Sequence, residues 1–344
     1  MLVSVLLPVF NAERTLAIAL ESVRRQRDVD LECVAVDDGS SDGSLACLER
    51  AARADPRIRV IACEHRGIVD TLNQGLQACR GQLVARMDAD DIMCSGRLSA
   101  QLELLRARPE LSGVGCHVRL FPRSSSAPGP GSTSLAGRRD YERWLNSLQH
   151  EEHVARDRFV ECPLAHPSWM LRGDVFREYG YREMGWPEDY DLLLRLHCAG
   201  HRLGVVPQRL LAWRDSPGRL SRQDERYTAR RFVAAKAHFL AQDWLREQPR
   251  YILWGYGDTG RALSKALGEH GRQPHAIVEV HPRRIGQCIM GAPVVAPAQL
   301  PALREAAGGL PIIVSVAHAG PRQQVRQTLA ALQLRELVDF VCAA

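Results

Sequence analysis

Short apolar runs alternate with stretches of helical periodicity through the first third of the chain. The pattern predicts strands at 2–7, 31–36, 58–62 and 83–87. Between and after them it predicts helices ending near Arg25 and spanning 43–53, 68–79 and 97–107. Strand–helix alternation of this kind builds a largely parallel sheet with helices on its faces. The segment from Pro122 to Gly137 is rich in Ser, Pro and Gly and reads as a surface excursion. A helix is expected over 138–157, and strands and helices resume over 160–214. Residues 221–246 carry apolar positions at helical spacing and read as one long amphipathic helix linking two units.

After Pro249 the strand–helix pattern restarts. Strands are expected at 251–254, 275–280 and 311–316, extended chain at 292–295, helices at 261–269 and 322–333, and a last short strand at 338–341. The chain therefore divides into a first α/β domain over 1–220, a linking helix over 221–248 and a smaller Rossmann-like α/β domain over 249–344.

Composition narrows the class without naming it. With 344 residues, 45% hydrophobic and 25% charged, the chain can bury two ordinary globular cores. Its net charge of +5 is carried almost wholly by arginine, because lysine occurs only at Lys236 and Lys265. Arginine suits phosphate recognition, although genomic composition alone explains such a bias equally well. No zinc-finger spacing, basic tail or aromatic-interleaved basic stripe points to nucleic acid. The ten cysteines form no CxxC pair and read as small buried hydrophobes in a reducing compartment. The first residues form a strand broken by Pro8 rather than a signal peptide, and no apolar run approaches the roughly 20 residues that span a bilayer. A cytoplasmic protein is expected, with peripheral contact to the inner face of the membrane left open and the oligomeric state undetermined.

Acidic and polar residues follow three of the expected strands. Phe10-Asn11-Ala12-Glu13 follows the first, Asp37-Asp38-Gly39-Ser40 the second, and Asp88-Ala89-Asp90-Asp91 the run 83–87. In a parallel sheet those ends share one edge, where open α/β folds bind ligands. Three carboxylates in four residues repel one another unless a cation shares the space, and a hard divalent ion carrying a polyphosphate is the economical partner. The first two clusters suit a base and ribose. There is no GxGxxG after the first strand and no P-loop lysine. Further on, Glu188-Asp189 opens a leucine-rich helix. A carboxylate pair there is worth about 0.3–1 kcal/mol per charge against the helix dipole, so capping alone would account for it.

Taken in order, VSVLLPVFNAE, VDDGSSDGS, QLVARMDADDI, RLSAQ, HPSWMLRGDVF and WPEDYDLLLRLHCAG resemble the family 2 glycosyltransferases of the GT-A fold, over residues 1–220. The resemblance implies a nucleotide-sugar donor, most often a UDP-sugar, a Mn²⁺ or Mg²⁺ ion and transfer with inversion to a glycan or lipid-linked saccharide acceptor. It puts Pro8, Phe10 and Glu13 around the nucleobase and Asp38 on the base, with Asp37 supporting it. Asp88 then lies near the ribose or donor sugar, and Asp90 faces the metal. Asp91 braces the loop, and Asp189 is the general base. Glu188, His166 and Trp186 fall on the acceptor or diphosphate side. The histidine common after the next strand is missing, which leaves Arg214 or Arg219 to supply charge.

In the second domain Gly255-Tyr256-Gly257-Asp258-Thr259-Gly260 does follow a strand and precede a helix, and Glu279 ends the next strand. These residues resemble small Rossmann-like domains attached to sugar-modifying enzymes. Gly255, Gly257, Gly260 and Glu279 are candidates for a nucleotide or NAD, or for close packing alone. Two other readings compete with the glycosyltransferase. A nucleotidyltransferase would carry an early Gly-rich basic loop, where residues 8–16 offer only Arg14. A nucleotide-sugar-binding regulator would not need Asp189.

Overall fold

The computed structural model describes residues 1–122, 135–216 and 219–344. The excursion expected over 122–137 lies largely outside them. The chain forms two compact units. The first comprises Met1–Ala155, Pro163–Met184 and Asp191–Gln223; the second comprises Arg156–Cys162, Gly185–Tyr190 and Asp224–Ala344.

The first unit is built on strands β1 (Val3–Val9), β2 (Leu31–Asp38), β3 (Ile58–Cys63), β4 (Leu83–Arg86), β5 (Ile92–Met93), β6 (Leu111–Pro122), β7 (Met170–Arg172) and β8 (Arg202–Asp215). They make one sheet in the order β3-β2-β1-β4-β7-β6-β8-β5. Strands β3, β2, β1 and β4 are parallel, whereas β7 runs antiparallel to both β4 and β6. The sheet is thus mixed beyond β4, where the apolar pattern alone predicts no reversal. Every residue of β1 and β2 is buried, as expected of strands covered on both faces. Helices α1 (Glu13–Arg24), α2 (Ser44–Ala54), α3 (Ile68–Ala78) and α4 (Arg97–Ala107) connect and cover them. The core runs through Val5, Leu7, Leu16, Leu48, Leu98 and Met170.

A buried polar knot ties the starting edge of the parallel strands. Glu32 on β2 accepts the Ser4 hydroxyl at 2.6 Å, the Arg80 amide at 2.7 Å and Arg59 at 3.0 Å. Ser4 in turn accepts the Gly81 amide at 2.8 Å. Burial alone would raise the Glu32 pKa, but these donors outweigh it and hold the carboxyl below its usual value.

Two expected helices are interrupted. The segment expected at 138–157 is α5 (Leu135–Leu145) and α6 (Glu151–Asp157). Helices α7 (Gly173–Tyr179) and α8 (Glu188–Cys198) follow. The long linking helix expected over 221–246 is not continuous. It is α9 (Leu220–Gln223), a 3-10 turn at Glu225–Tyr227, α10 (Ala229–Phe239) and a π-turn at Leu240–Trp244. The break has a local cause. The Asp224 side chain accepts the Arg226 amide at 2.8 Å, and extended Thr228 donates its hydroxyl to the Glu225 carbonyl at 2.9 Å. Asp and Thr readily trade helical bonds for such turns.

The second unit carries β9 (Arg250–Trp254), β10 (Gln273–Val278), β11 (Cys288–Ile289), β12 (Ala292–Val295), β13 (Ile312–Val314) and β14 (Phe340–Cys342), ordered β11-β12-β10-β9-β13-β14. All pairs are parallel except β11 with β12. Helices α11 (Asp258–Glu269), α12 (Leu300–Ala306) and α13 (Ala319–Ala331) connect them. Among the described residues, no helix is long and apolar enough to cross a membrane.

Removing the carboxylate at the centre of the polar knot leaves buried donors without an acceptor. Glu32→Ala is expected to cost about 1–3 kcal/mol in urea unfolding. Glu32→Gln tests the charge. A depressed carboxyl contributes stability above its unfolded pKa and loses it as pH falls through the folded value. The advantage of wild type over Glu32→Gln should therefore shrink as pH drops below about 4.

Candidate active site

Parallel register brings the acidic strand ends together. Val9 on β1 lies opposite Asp37 on β2, Asp38 lies opposite Cys63 on β3, and Met87 extends the β4 pairing by donating to the Leu6 carbonyl at 3.1 Å. One edge thus carries Phe10, Asp37-Asp38, the loop after Cys63 and the run Asp88–Asp91.

Asp38 is almost fully buried and its carboxylate is engaged. It accepts the Arg66 amide at 2.8 Å and the Gly67 amide at 3.0 Å, and it lies 2.9 Å from His65 Nδ1. A nucleobase reaching this carboxylate would meet three existing partners. Asp37 accepts the Ser40 amide at 3.0 Å through Oδ2, while its buried Oδ1 has no hydrogen-bond partner. Between them and Ser40, Gly39 adopts φ 66°, and a Cβ there would lie 2.7 Å from the His65 nitrogen. Only glycine fits that turn.

Pro8 is buried within β1, Glu13 is exposed at the start of α1, and the Phe10 ring is 48% exposed. The His65 ring stacks on Phe10 with centroids 4.3 Å apart. His65 was not a sequence candidate. The available signal was its place directly after the third strand, on the same edge as the acidic clusters.

Asp88, Asp90 and Asp91 offer carboxylate oxygens within 4.8 Å of one another. Three hard oxygen donors at that spacing fit a Mg²⁺ or Mn²⁺ ion. The three residues differ in their surroundings. Asp88 is ion-paired with Arg86, a buried guanidinium at the end of the otherwise apolar strand β4. Asp91 is 1% exposed and accepts the Arg214 amide at 2.7 Å, which braces the loop against β8. Burial, then Asp88 and Asp90, push the Asp91 carboxyl well up. Burial and Asp88 also push Asp90 up, against Arg219, Arg214 and Arg86.

Both arginine candidates lie at this end of the sheet. Arg214 donates Nε–H to the Asp90 carbonyl at 2.6 Å and stacks over Phe121 at 4.5 Å. Arg219 donates to the Arg214 carbonyl at 3.2 Å and stacks over Trp213 at 4.5 Å. His166 is buried, with Nε2 2.6 Å from the Tyr181 hydroxyl and its ring edge on Trp169. Burial and Arg86 hold its pKa well below the usual value, so the ring is neutral.

The remaining candidates belong to the second unit. Glu188 is buried and accepts the Tyr227 hydroxyl at 2.6 Å. Burial, with the Glu188 and Asp189 charges, drives the Tyr227 pKa upward. Tyr227 was missed because it lies far along the chain in an expected helix. Asp189 is half-buried and accepts its neighbour's amide, from Tyr190, at 2.7 Å. The Trp186 ring lies 5.2 Å from that of His238. Gly255 closes β9 with φ 95°, and a Cβ on Gly260 would sit 2.1 Å from the Gly255 carbonyl oxygen, so these glycines serve close helix–strand approach. Space beside Gly257 is open. Glu279 is committed inward: it accepts the Val280 amide at 2.8 Å and pairs with Arg284 at 3.2 Å. Arg284 also donates to the Tyr256 carbonyl at 2.7 Å.

Residues 4–180, just over half of the chain, match the model of glycosyl transferase family 2. The chain belongs to that family. The amylovoran biosynthesis glycosyltransferase AmsE of Erwinia amylovora is 30% identical over 212 residues, covering 60% of this chain and 74% of AmsE. The O-antigen biosynthesis glycosyltransferase WbnJ of Escherichia coli is 25% identical over 220 residues, covering 62% of this chain and 79% of WbnJ. An uncharacterized glycosyltransferase of Haemophilus influenzae is 28% identical over 220 residues, and the chain spans only 65% of its length. The structure of S. aureus TarS in complex with UDP-GlcNAc superposes with a TM-score of 0.52 at 17% identity, over 78% of this chain and 72% of that one. The fold of this family 2 transferase is therefore GT-A, with a second sheet-bearing unit.

The opposite charge environments of Glu32 and Asp91 give opposite pH dependences. A carboxyl with a raised folded pKa favours the fold at low pH, and that contribution is lost as pH rises through the folded value. Asn at position 91 keeps an acceptor for the Arg214 amide and removes a charge. In metal-free buffer, Asp91→Asn should therefore gain in melting temperature over wild type as pH rises above about 4, the unfolded carboxyl value.

Proposed function

We propose that this transferase moves a sugar from a nucleoside-diphosphate donor to a hydroxyl of a glycan or lipid-linked saccharide, with inversion at the anomeric carbon and dependence on a divalent cation. The observation that carries the reading is the convergence of Asp88, Asp90 and Asp91 on the sheet edge that also presents the exposed Phe10–His65 ring pair. A cation site beside an open aromatic surface suits a diphosphate joined to a nucleobase. TarS was solved with UDP-GlcNAc, which makes a UDP-sugar the first donor to test. AmsE and WbnJ, by their names, serve amylovoran and O-antigen synthesis, which favours a cell-surface polysaccharide or lipopolysaccharide as the product. The reading puts the reaction in the cytoplasm, with peripheral membrane contact where the acceptor is lipid-linked.

In this reading Pro8, Phe10, Glu13, Asp37 and Asp38 shape the base site, Asp38 through the 65–67 loop that its carboxylate holds. Asp88 faces the ribose or donor sugar, and Asp90 holds the cation. When bound, the ion supplies charge compensation for the departing diphosphate. Arg214 and Arg219 add positive charge at the same edge. Asp189 takes the proton of the acceptor hydroxyl as its oxygen attacks the anomeric carbon opposite the leaving group. The new glycosidic C–O bond forms as the sugar–phosphate bond breaks, so no glycosyl-enzyme intermediate is required.

Two variants separate these roles. Asp189→Asn should keep donor affinity and lower transfer by about a hundred- to ten-thousand-fold, the range for losing a general base. Asp90→Asn should lose Mn²⁺-dependent donor binding itself. Calorimetry with UDP-sugars and a radiolabel transfer assay read the two effects. Equal loss of donor binding in both variants would defeat the division of labour.

A further inference from the structure

The three carboxylates of the acidic motif do not have equivalent partners. Asp91 is buried, with Oδ1 on the Arg214 amide and Oδ2 without a hydrogen-bond partner. Asp88 is ion-paired with Arg86, and among the described residues Asp90's carboxylate has no hydrogen bond or ion pair. Arg86 is the unusual member. It ends β4 in a run whose other side chains are apolar, and it is 4% exposed. Its position two residues before Asp88 puts both side chains on one face of the extended chain, which is why they meet. Its Nε–H is buried without a hydrogen-bond partner, and its Nη1 meets Asp88 as an ion pair and not as a formed hydrogen bond. Burying an arginine with an unsatisfied donor is costly, and the pairing with Asp88 is what offsets that cost. Burial alone would weaken the proton's hold, but Asp88, Tyr181 and Asp91 outweigh it and keep the guanidinium charged. The contact ion pair of Arg86 is thus with Asp88 alone, while its charge also reaches Asp90 and Asp91.

We infer that Arg86 is a positioning residue that sorts the motif: by pairing with Asp88 it withholds that carboxylate from the cation, leaving Asp90 to hold the ion and Asp88 to face the donor's hydroxyl groups. The inference rests on the cation-dependent reading above and adds to it a division within the motif. An arginine competes with a divalent ion for a carboxylate directly, because both need the same lone pairs and repel each other. Replacing Arg86 by an apolar side chain of similar length frees Asp88 to join the ion.

The test is Mn²⁺ binding to the full chain without donor, read by electron paramagnetic resonance. Wild type, Asp88→Asn, Asp90→Asn, Arg86→Met and the double variant Arg86→Met/Asp88→Asn are compared. Asp90→Asn should lose binding, while Asp88→Asn should stay within about twofold of wild type, as expected of a group outside the ion's shell. Arg86→Met should bind Mn²⁺ more tightly by about tenfold, a typical coupling for groups in contact, and adding Asp88→Asn should cancel the gain. With Mn²⁺ saturating, Arg86→Met should also bind UDP-sugar more weakly than wild type. If Asp88→Asn loses Mn²⁺ as fully as Asp90→Asn, Asp88 is a ligand and the inference falls while the cation-dependent reading stands. If neither wild type nor Arg86→Met binds Mn²⁺, the inference falls, whereas the cation-dependent reading falls only if Mn²⁺ also fails to bind with UDP-sugar present. Should Asp88→Asn, which leaves Arg86 buried without its partner, fail to fold, the comparison of Arg86→Met with the double variant decides: equal Mn²⁺ affinity in those two overturns the inference.

Discussion

In-register parallel pairing of β1 with β2 and β4, and of β2 with β3, is the constraint on which the site depends. It turns three sequence clusters about thirty to fifty residues apart into one edge, because parallel strands end where their neighbours end. The register is secured at the opposite edge. There Glu32 joins β2 to Ser4 on β1, Arg59 on β3 and the Arg80 amide leading into β4. A buried carboxylate that satisfies three donors from three segments penalises any slip, since each slip strands a polar group in the core. The site is therefore held in place from about the length of a strand away.

The site edge carries the complementary problem. Three carboxylates are gathered in space partly closed to water, where their repulsion is strong. The fold offsets it with guanidinium groups of different kinds. Arg86 is fixed below the motif, whereas Arg214 and Arg219 approach from the β8 end and are steadied by Phe121 and Trp213. Arginine suits this work because its planar cation stacks on rings and still donates hydrogen bonds. The acidic motif is thereby partly compensated by the protein's own arginines.

Much of the parallel half of the fold was legible in the sequence, because a strand buried on both faces writes itself as a continuous apolar run. The strands at 31–36 and 83–87 and the acidic ends after them were readable on that ground alone. What escaped has physical reasons. The antiparallel β7 is three residues long, too short to show a period. The linking helix broke because Asp224 and Thr228 satisfy nearby backbone groups, a local bond that apolar spacing does not register. Arg86, His65 and Tyr227 act through contacts made by folding. No spacing rule marks an arginine inside an apolar run as the partner of Asp88, or a tyrosine as the partner of Glu188. In the second unit the glycine motif was visible, but the inward commitment of Glu279 to Arg284 was not.

The central claim is that the β1–β4 edge is where a nucleotide-sugar binds. The most direct measurement is calorimetry of the full chain against a panel of UDP-, GDP-, dTDP- and CMP-sugars and NAD(H), each with and without Mn²⁺. The account predicts that one nucleotide-sugar binds only when Mn²⁺ is present, and that NAD(H) does not compete with it. Binding of NAD(H) alone, indifferent to Mn²⁺, would contradict the account and move the chemistry to the Gly255–Gly260 turn of the second unit.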